Sequence, residues 1–351
     1  MPVVDIHAHH VATDLLEAAA RSGDRYGVTL DQSVQPLGRL VFDDGTVIRP
    51  FFPELCDLRV RIPTMDELGV DVQVVSTWTD IAGYNLPVDQ GVAWARLQNE
   101  TMAGSVAEHD GRFEAMGTLP LQSVEASLDE MRFAVDELGF RSFEIGTSVN
   151  GVHIAEERFH GLWDALADYD VFVLLHPPID PTGTGQLTDH FLKNLLGNPT
   201  DTTIAGAKLA VSGILERLPG LKVCLVHGGG FLPYQIGRLD KGHIVHPDTR
   251  RDIPDHLPST FLESFYYDTI IYDPEALSYL AAKVTPQRLL LGSDYPFEMF
   301  DEAGIANIRG LDCSASELAG ILGETALAAL RRRGTSNDAE TDSDETPRST
   351  P

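Results

Sequence analysis

The amino-terminal stretch of the chain sets the pattern on which the fold prediction rests: residues 3–9 read VVDIHAH. Its apolar residues predict a short buried strand, which we place at Val3–His7. Because side chains along a strand alternate between its two faces, Asp5, His7 and His9 point to the same side. Two neutral imidazoles placed in this way can share a metal ion at about 2.0–2.1 Å each.

Three later apolar runs also end in side chains that bind metals or protons: VFVLLHPP (171–178), KVCLVHGGG (222–230) and RLLLGSDYPF (288–297). They place His176, His227 and Asp294 at strand ends. Any one of these histidines alone is as readily a core residue bonded to a backbone carbonyl. Their repetition at several strand ends favours a shared site. His10 points to the opposite face from His9, and we expect it to be structural.

Short β-branched runs alternate with longer helical stretches, which predicts an α/β fold with a parallel sheet. The eight predicted strands are Val3–His7, Val70–Ser76, Phe113–Leu119, Arg141–Ile145, Val171–His176, Lys222–His227, Phe265–Asp268 and Leu289–Asp294. The predicted helices between them include 90–109, 123–138, 157–169, 202–218 and 274–284. This pattern indicates a (β/α)8 TIM barrel, in which strand ends converge on one mouth. The rival is an open doubly wound sheet, but no GxGxxG or GxxxxGK[ST] motif follows any strand.

Two insertions interrupt the repeat, and both follow strands at the face where barrel enzymes form their pockets. Residues 11–65 follow strand one and include Asp43-Asp44-Gly45, which predicts the turn of a small hairpin. Residues 177–201 form a long loop after strand five. We expect one domain over residues 1–332, followed by an acidic disordered tail, 333–351, that has too few apolar residues to fold.

The charge of the chain excludes some classes of partner. It carries 53 acidic and 26 basic residues, for a net charge of −27, and only 5 of the basic residues are lysine. Such a surface repels nucleic acid and anionic membranes. Acid excess with scarce lysine favours a halophilic protein, and an ordinary acidic protein is the alternative. Three scattered cysteines, no membrane-length apolar run and no signal peptide predict a reduced, cytoplasmic protein.

The motifs HxH, HPP, HGGG and GSDYPF resemble those of the amidohydrolase superfamily. HGGG together with GSDYPF is similar to the branch that contains 2-amino-3-carboxymuconate-6-semialdehyde decarboxylase and related aromatic-acid decarboxylases. The resemblance covers most of residues 1–330. It implies a (β/α)8 barrel with one divalent ion, most often zinc, bound by His7, His9, His176 and Asp294. It also implies that His227 acts on the metal-bound water and that Asp294 passes a proton to the substrate.

The same resemblance implies residues that bind a small carboxylated substrate. Arg49 matches an arginine that binds the substrate carboxylate, and its planar guanidinium suits that bidentate role. Arg238 matches one that reaches the active site of a neighbouring subunit, which implies a homodimer. The chain departs from the family pattern in the loop after His176, which has no tryptophan. An aromatic wall would then come from elsewhere, with Trp78, Tyr84 and Phe297 as candidates.

Strand four, RSFEIGTS, lacks the modified lysine that bridges two metals in other superfamily members, which favours a single ion. Glu144 lies on this strand. We expect it to be solvated or salt-bridged, and the alternative is that it approaches the mouth. The function predicted first is a zinc-dependent decarboxylase of a small unsaturated or aromatic acid that uses hydroxide formed on the ion. A hydrolase or hydratase acting on an amide, lactone or ring would use the same ligands. A metal-binding scaffold without turnover is a third alternative.

Overall fold

The computed structural model describes residues 1–109, 111–181 and 184–331. The predicted tail, residues 333–351, lies outside the described residues. In chain order the strands are β1 Val4–His9, β2 Val28–Asp31, β3 Arg39–Phe42, β4 Val47–Ile48, β5 Val72–Ser76, β6 Phe113–Gly117, β7 Ser142–Gly146, β8 Ser148–Val149, β9 Val152–His153, β10 Phe172–His176, β11 Lys222–Leu225, β12 Phe265–Asp268 and β13 Leu289–Leu290.

The α-helices lie mainly in the connections between the barrel strands. They are α1 Thr13–Tyr26, α2 Pro53–Cys56, α3 Leu58–Leu68, α4 Val88–Ala107, α5 Val124–Asp136, α6 His160–Asp168, α7 Asn198–Val211, α8 Ile214–Arg217, α9 Leu232–Val245, α10 Pro274–Val284, α11 Gly304–Arg309, α12 Ala315–Ala319 and α13 Thr325–Leu330. Four of them begin at polar caps whose side chains accept backbone N–H groups, which satisfies free donors of the first turn. These caps are Asp57, Ser123, Asp273 and Ser314. None of the helices in the described ranges combines the length and apolar content that crossing a bilayer requires.

Eight parallel strands form the barrel in the order β1-β5-β6-β7-β10-β11-β12-β13. The ring closes between its first and last strands, because Ile6 N donates to Leu291 O and His9 N donates to Tyr295 O, each at 2.8 Å. This closure confirms the TIM barrel and excludes the open doubly wound sheet.

Strand β10, which ends at the predicted ligand His176, shows how the side chains of a barrel strand are divided between its two faces. All of its residues are buried, as expected for a parallel strand covered on both faces. Phe172 and Leu174 belong to a buried cluster that also contains residues of β1, β5 and α13, whereas Val173 and Leu175 pack in a different cluster that contains residues of α5, α6 and α7. Strand alternation therefore puts His176 on the side of Phe172 and Leu174, at the carboxyl end of the strand.

The insertion after β1 contains α1 and a small antiparallel sheet of β2, β3 and β4. The predicted hairpin is confirmed, since β3 pairs with β4 across Asp43-Asp44-Gly45 and Gly45 has a φ of 89°. A separate apolar cluster lies beneath this insertion, with Phe51, Leu55 and Trp94 fully buried. The insertion is therefore a packed layer over part of the barrel.

Three predicted strands end earlier than expected: β6 ends at Gly117 rather than Leu119, and the other two carry predicted site residues. We predicted strands to His227 and Asp294, but β11 ends at Leu225 and β13 at Leu290. His227 has a φ of 55° and Asp294 a φ of 61°, a region that non-glycine residues seldom adopt and that no strand can contain. The chain thus leaves the sheet before both residues, and tight turns carry their side chains.

Candidate metal centre

The four predicted ligands meet at the barrel mouth. His7, His9, His176 and Asp294 each offer one atom, and these atoms all lie within 4.8 Å of one another. His7 Nε2 is 3.2 Å from His9 Nε2, and His9 Nε2 is 3.2 Å from Asp294 Oδ1. Two ligands at 2.0–2.1 Å from a tetrahedral ion lie about 3.3 Å apart, so these spacings fit such an ion.

In two of the imidazoles, a hydrogen bond at Nδ1 fixes which ring nitrogen is free to bind a metal. His7 Nδ1 lies 2.8 Å from Asp268 Oδ2, and His176 Nδ1 lies 2.8 Å from Pro177 O. A backbone carbonyl or a carboxylate accepts the Nδ1 proton, which leaves the Nε2 lone pair available to a metal. The residues present therefore fit a divalent ion.

The electrostatics of the cluster also favour neutral imidazoles. Burial lowers the pKa of His7 and of His9 to about 3, and burial lowers the pKa of His176 well below its ordinary value. Protonated imidazole cannot bind a cation, so the depressed pKa values keep these side chains in the form that a ligand requires.

His227 lies beside the cluster without being one of its four members. Its ring centroid is 5.6 Å from that of His176 and 5.8 Å from that of His7. Burial lowers its pKa to about 4, although the charge of Asp268 opposes the shift. Within the described residues, its Nδ1 has no hydrogen-bond partner. A neutral, half-buried imidazole in this place is able to accept a proton from a group at the mouth.

Aromatic side chains stand next to His9. The ring of Phe297 lies 5.3 Å from that of His9 and 4.8 Å from that of Trp78, and Phe52 packs on its other side at 6.4 Å. Of the candidates for an aromatic wall, Phe297 and Trp78 are therefore placed at the site. Tyr84 instead lies in the main core.

The two predicted substrate arginines are exposed. Arg49 follows β4, and Arg238 lies on α9. Within the described residues, neither makes a hydrogen bond or an ion pair with another side chain. Their roles remain predictions.

The expectation that Glu144 is solvated or salt-bridged is wrong. Its side chain is buried and accepts hydrogen bonds from the hydroxyls of Ser76 and Thr79. Burial raises its pKa to about 8 despite these hydrogen bonds. Its Oε2 lies 3.6 Å from His9 Nδ1. Glu144, on β7, therefore faces the metal centre.

The structure adds a buried arginine that the sequence analysis passed over. One terminal nitrogen of Arg61 donates to His9 O and to Glu54 O, each at 2.7 Å. It therefore ties the insertion to the strand end that carries a predicted ligand. His10 is structural, as expected, since its Nδ1 bonds to Leu55 O at 3.0 Å. Nothing in the sequence around Arg61 indicated that it would contact the backbone of His9 and Glu54.

Asp268 was assigned only as a strand residue, yet it is fully buried and contacts the site. Its Oδ2 meets His7, and its Oδ1 accepts the Gly228 N–H at 2.8 Å. Burial raises its pKa, while the charge of His227 and the N–H groups of Gly228 and Ile270 oppose the rise. The available sequence signal was that the predicted strand Phe265–Asp268 ends in a polar residue, as do the predicted strands before and after it.

The model of the family described as "Amidohydrolase" matches residues 4–332. The chain belongs to this family. It is 30% identical over 84% of its length, and 82% of the relative, to 2-amino-3-carboxymuconate-6-semialdehyde decarboxylase of Dictyostelium discoideum. The family assignment from the HxH, HGGG and GSDYPF motifs is thus confirmed.

Two solved structures show the same fold as this amidohydrolase-family chain. One is the Metarhizium anisopliae IDCase in apo form, with a TM-score of 0.77 and 23% identity, covering 94% of this chain and 97% of that one. The other is a dihydroxybenzoic acid decarboxylase of Polaromonas sp. with bound manganese and 2-nitroresorcinol, with a TM-score of 0.75 and 19% identity, covering 94% and 96%. At these identities the likeness concerns the fold.

Proposed function

We propose that this protein is a metal-dependent decarboxylase of a small unsaturated or aromatic carboxylic acid. The observation that carries the proposal is the cluster of three imidazole nitrogens and one carboxylate within 4.8 Å, in a chain that is 30% identical to a decarboxylase. Catalytic zinc sites combine nitrogen and oxygen ligands and keep a coordination position open for water or substrate, whereas structural sites are closed.

His7, His9, His176 and Asp294 would hold the ion. When bound, a divalent ion supplies Lewis acidity and lowers the pKa of a water molecule toward about 7. We propose zinc, because three neutral imidazoles and one carboxylate suit a borderline cation. Manganese is the alternative to test, since the similar Polaromonas structure contains it.

We assign proton transfer to two residues of the chain. His227 would accept a proton from water, because burial keeps its imidazole neutral at pH 7 and its Nδ1 has no partner in the described residues. Asp294 would pass that proton to the substrate carbon as its bond to the carboxylate breaks and carbon dioxide leaves, so that the net reaction consumes one solvent proton and no water. General acid and base groups of this kind contribute roughly 10²–10⁴-fold in rate.

Substrate recognition is assigned to Arg49, Arg238 and Phe297. The guanidinium groups are exposed and free of acidic partners in the described part of the chain, so they remain available to a carboxylate. Phe297, with Trp78 beside it, offers an aromatic surface to a planar substrate at 5.3 Å from the His9 ring. This surface takes the place of the tryptophans missing from the loop after His176.

We further propose that the active protein is a homodimer to which Arg238 contributes across the interface. In support, the helix that carries Arg238 also exposes apolar side chains. Phe231 is 41% exposed, Tyr234 73%, Ile244 59% and Val245 61%. Exposed apolar residues that cluster on one face are typical of interaction surfaces.

The remaining proposals concern the chain as a whole. Residues 1–332 would suffice for activity. A cytoplasmic location fits three free cysteines, two of them buried.

The net charge of −27 supports a halophilic protein, because a Debye length of about 3 Å at 1 M salt removes most of the self-repulsion. The midpoint of thermal unfolding would then rise as potassium chloride increases toward that concentration, and a midpoint that does not rise refutes the halophilic assignment.

The decisive experiment measures carbon dioxide from a panel of muconate-like and hydroxybenzoate acids with the purified, metal-loaded protein. A decarboxylase releases one carbon dioxide per substrate consumed and, in D2O, places one deuterium on the product carbon. Oxygen from labelled water in the product, without carbon dioxide, would instead identify a hydrolase or hydratase. If none of the acids in the panel is turned over, and no lactone or amide tested beside them is turned over either, the result would favour a binding scaffold.

A further inference from the structure

Asp268, the last residue of β12, joins two parts of the site that lie far apart in the chain. Its side chain is fully buried. One oxygen lies 2.8 Å from His7 Nδ1, and the other accepts the Gly228 N–H at 2.8 Å. We propose that Asp268 is a positioning residue whose single carboxylate fixes both the tautomer of the metal ligand His7 and the turn that carries His227. This inference rests on the proposed metal-dependent function.

The first half of the proposal follows from hydrogen-bond chemistry. Neutral imidazole carries one proton, and a proton on Nε2 would remove the lone pair that faces Asp294 and His9. A carboxylate beside Nδ1 can only accept, so it holds the proton there and leaves Nε2 free. Replacing a hydrogen-bond partner of this kind typically lowers metal affinity 10–100-fold.

The second half concerns the strained turn after β11. His227 has a φ of 55°, and the three glycines that follow it also have positive φ values, between 61° and 77°. Holding a residue such as His227 in this region is unfavourable, so surrounding contacts must maintain it. The Gly228 N–H bonded to Asp268 is such a contact, directly next to the proposed base.

Tight packing keeps the carboxylate in place. A Cβ added to Gly292 would lie 3.0 Å from Asp268 Cβ and 3.1 Å from His7 Cβ, closer than nearly all ordinary contacts. The backbone of residue 292 therefore closes the space beside the pair. Because both oxygens of Asp268 are engaged, a rotation that improved one hydrogen bond would break the other.

The test is Asp268→Asn, which keeps the shape and removes one acceptor. An amide has one oxygen, so its NH2 group must face either Gly228 N–H or His7 Nδ1. In the first case the turn loses its anchor, and in the second the His7 proton is driven to Nε2. We expect zinc and manganese affinity, measured by chelator competition, to fall about 10–100-fold.

The matched control is Glu130→Gln. Glu130 is equally buried and also accepts two hydrogen bonds, from Asn99 and Arg96, but it lies on α5 away from the mouth. It should lower the midpoint of thermal unfolding of the metal-free protein while leaving metal affinity unchanged. Comparison of the two variants at equal folded fraction separates positioning from general stability.

The outcomes distinguish this inference from the proposed function. If the unmodified protein binds neither ion, the metal-dependent function fails. If it binds an ion and both Asp268→Asn and Asp268→Ala, which has no acceptor, bind it equally well, the positioning role is overturned. Should Asp268→Asn not fold, histidine-selective ¹⁵N NMR of the metal-free unmodified protein decides: a His7 proton on Nδ1 supports the proposal, and one on Nε2 refutes it.

Discussion

The two halves of the proposed active site are held in very different ways. On the metal side, His7, His9, His176 and Asp294 are all buried, and two of the imidazoles are fixed through Nδ1 by a carboxylate and a carbonyl. On the substrate side, Arg49 and Arg238 are exposed and unanchored in the described residues. The metal side is preorganised by the fold, whereas the arginines of the proposed substrate side would gain partners only from a bound acid or a second subunit.

This difference has a physical basis. Ligands on strand ends inherit their positions from the barrel, whose geometry is fixed by backbone hydrogen bonds and a packed core. Long arginine side chains on an insertion and on an outer helix retain rotamer freedom, and ordering them costs conformational entropy. Substitutions on the metal side should therefore empty the metal site, whereas those on the substrate side should leave the ion bound.

The largest effect is expected for His9→Gln. Losing one of three imidazoles should empty the metal site and reduce decarboxylation to background, as measured by elemental analysis and carbon dioxide release. His10→Gln is the matched control, since His10 is the next residue and equally buried, but bonds to Leu55 O. It should lose stability and retain the ion. One ion per chain in His9→Gln would contradict the ligand assignment.

His227→Asn should keep the ion and lose roughly 10²–10⁴-fold in kcat, because the group that accepts the proton is gone. Steady-state kinetics on metal-quantified protein provide the measurement. His243→Asn serves as control, since His243 is buried on α9 and bonds to Ile253 O. An active His227→Asn variant would remove this residue from the mechanism.

Arg49→Ala tests the substrate side. A charge-assisted hydrogen bond contributes about 1.5–3 kcal/mol, so we expect KM to rise roughly 10–100-fold with the metal content unchanged. Arg21→Ala, which removes an exposed arginine paired only with Glu17, should leave KM as it is. An unchanged KM in Arg49→Ala would show that the carboxylate binds elsewhere.

The smallest expected signal comes from subunit mixing. Arg238→Ala and His227→Ala chains, each inactive alone, should recover about a quarter of full activity after exchange, because half the dimers are mixed and each has one complete site. Mass spectrometry of labelled chains would confirm the exchange. No recovery despite exchange would place Arg238 outside the neighbouring site.

Much of the centre was predictable because its signals are local. Alternation along VVDIHAH and the apolar runs before His176 and Asp294 identify strands and the polar residues that end them. Strand alternation and burial act over neighbouring residues, so the sequence itself carries them. The parallel connections then bring those ends to one mouth in any barrel of this type.

Contacts between distant residues had no such signal. The bond between His7 and Asp268 joins residues 261 positions apart, and the burial of Glu144 depends on hydroxyls from a different strand and its loop. The positive φ values of His227 and Asp294 likewise follow from turns that the closed ring imposes. The sequence by itself determined the ligand types and the strands that present them. Only the tertiary structure decided which buried groups hold them, because closure of the barrel creates those neighbours.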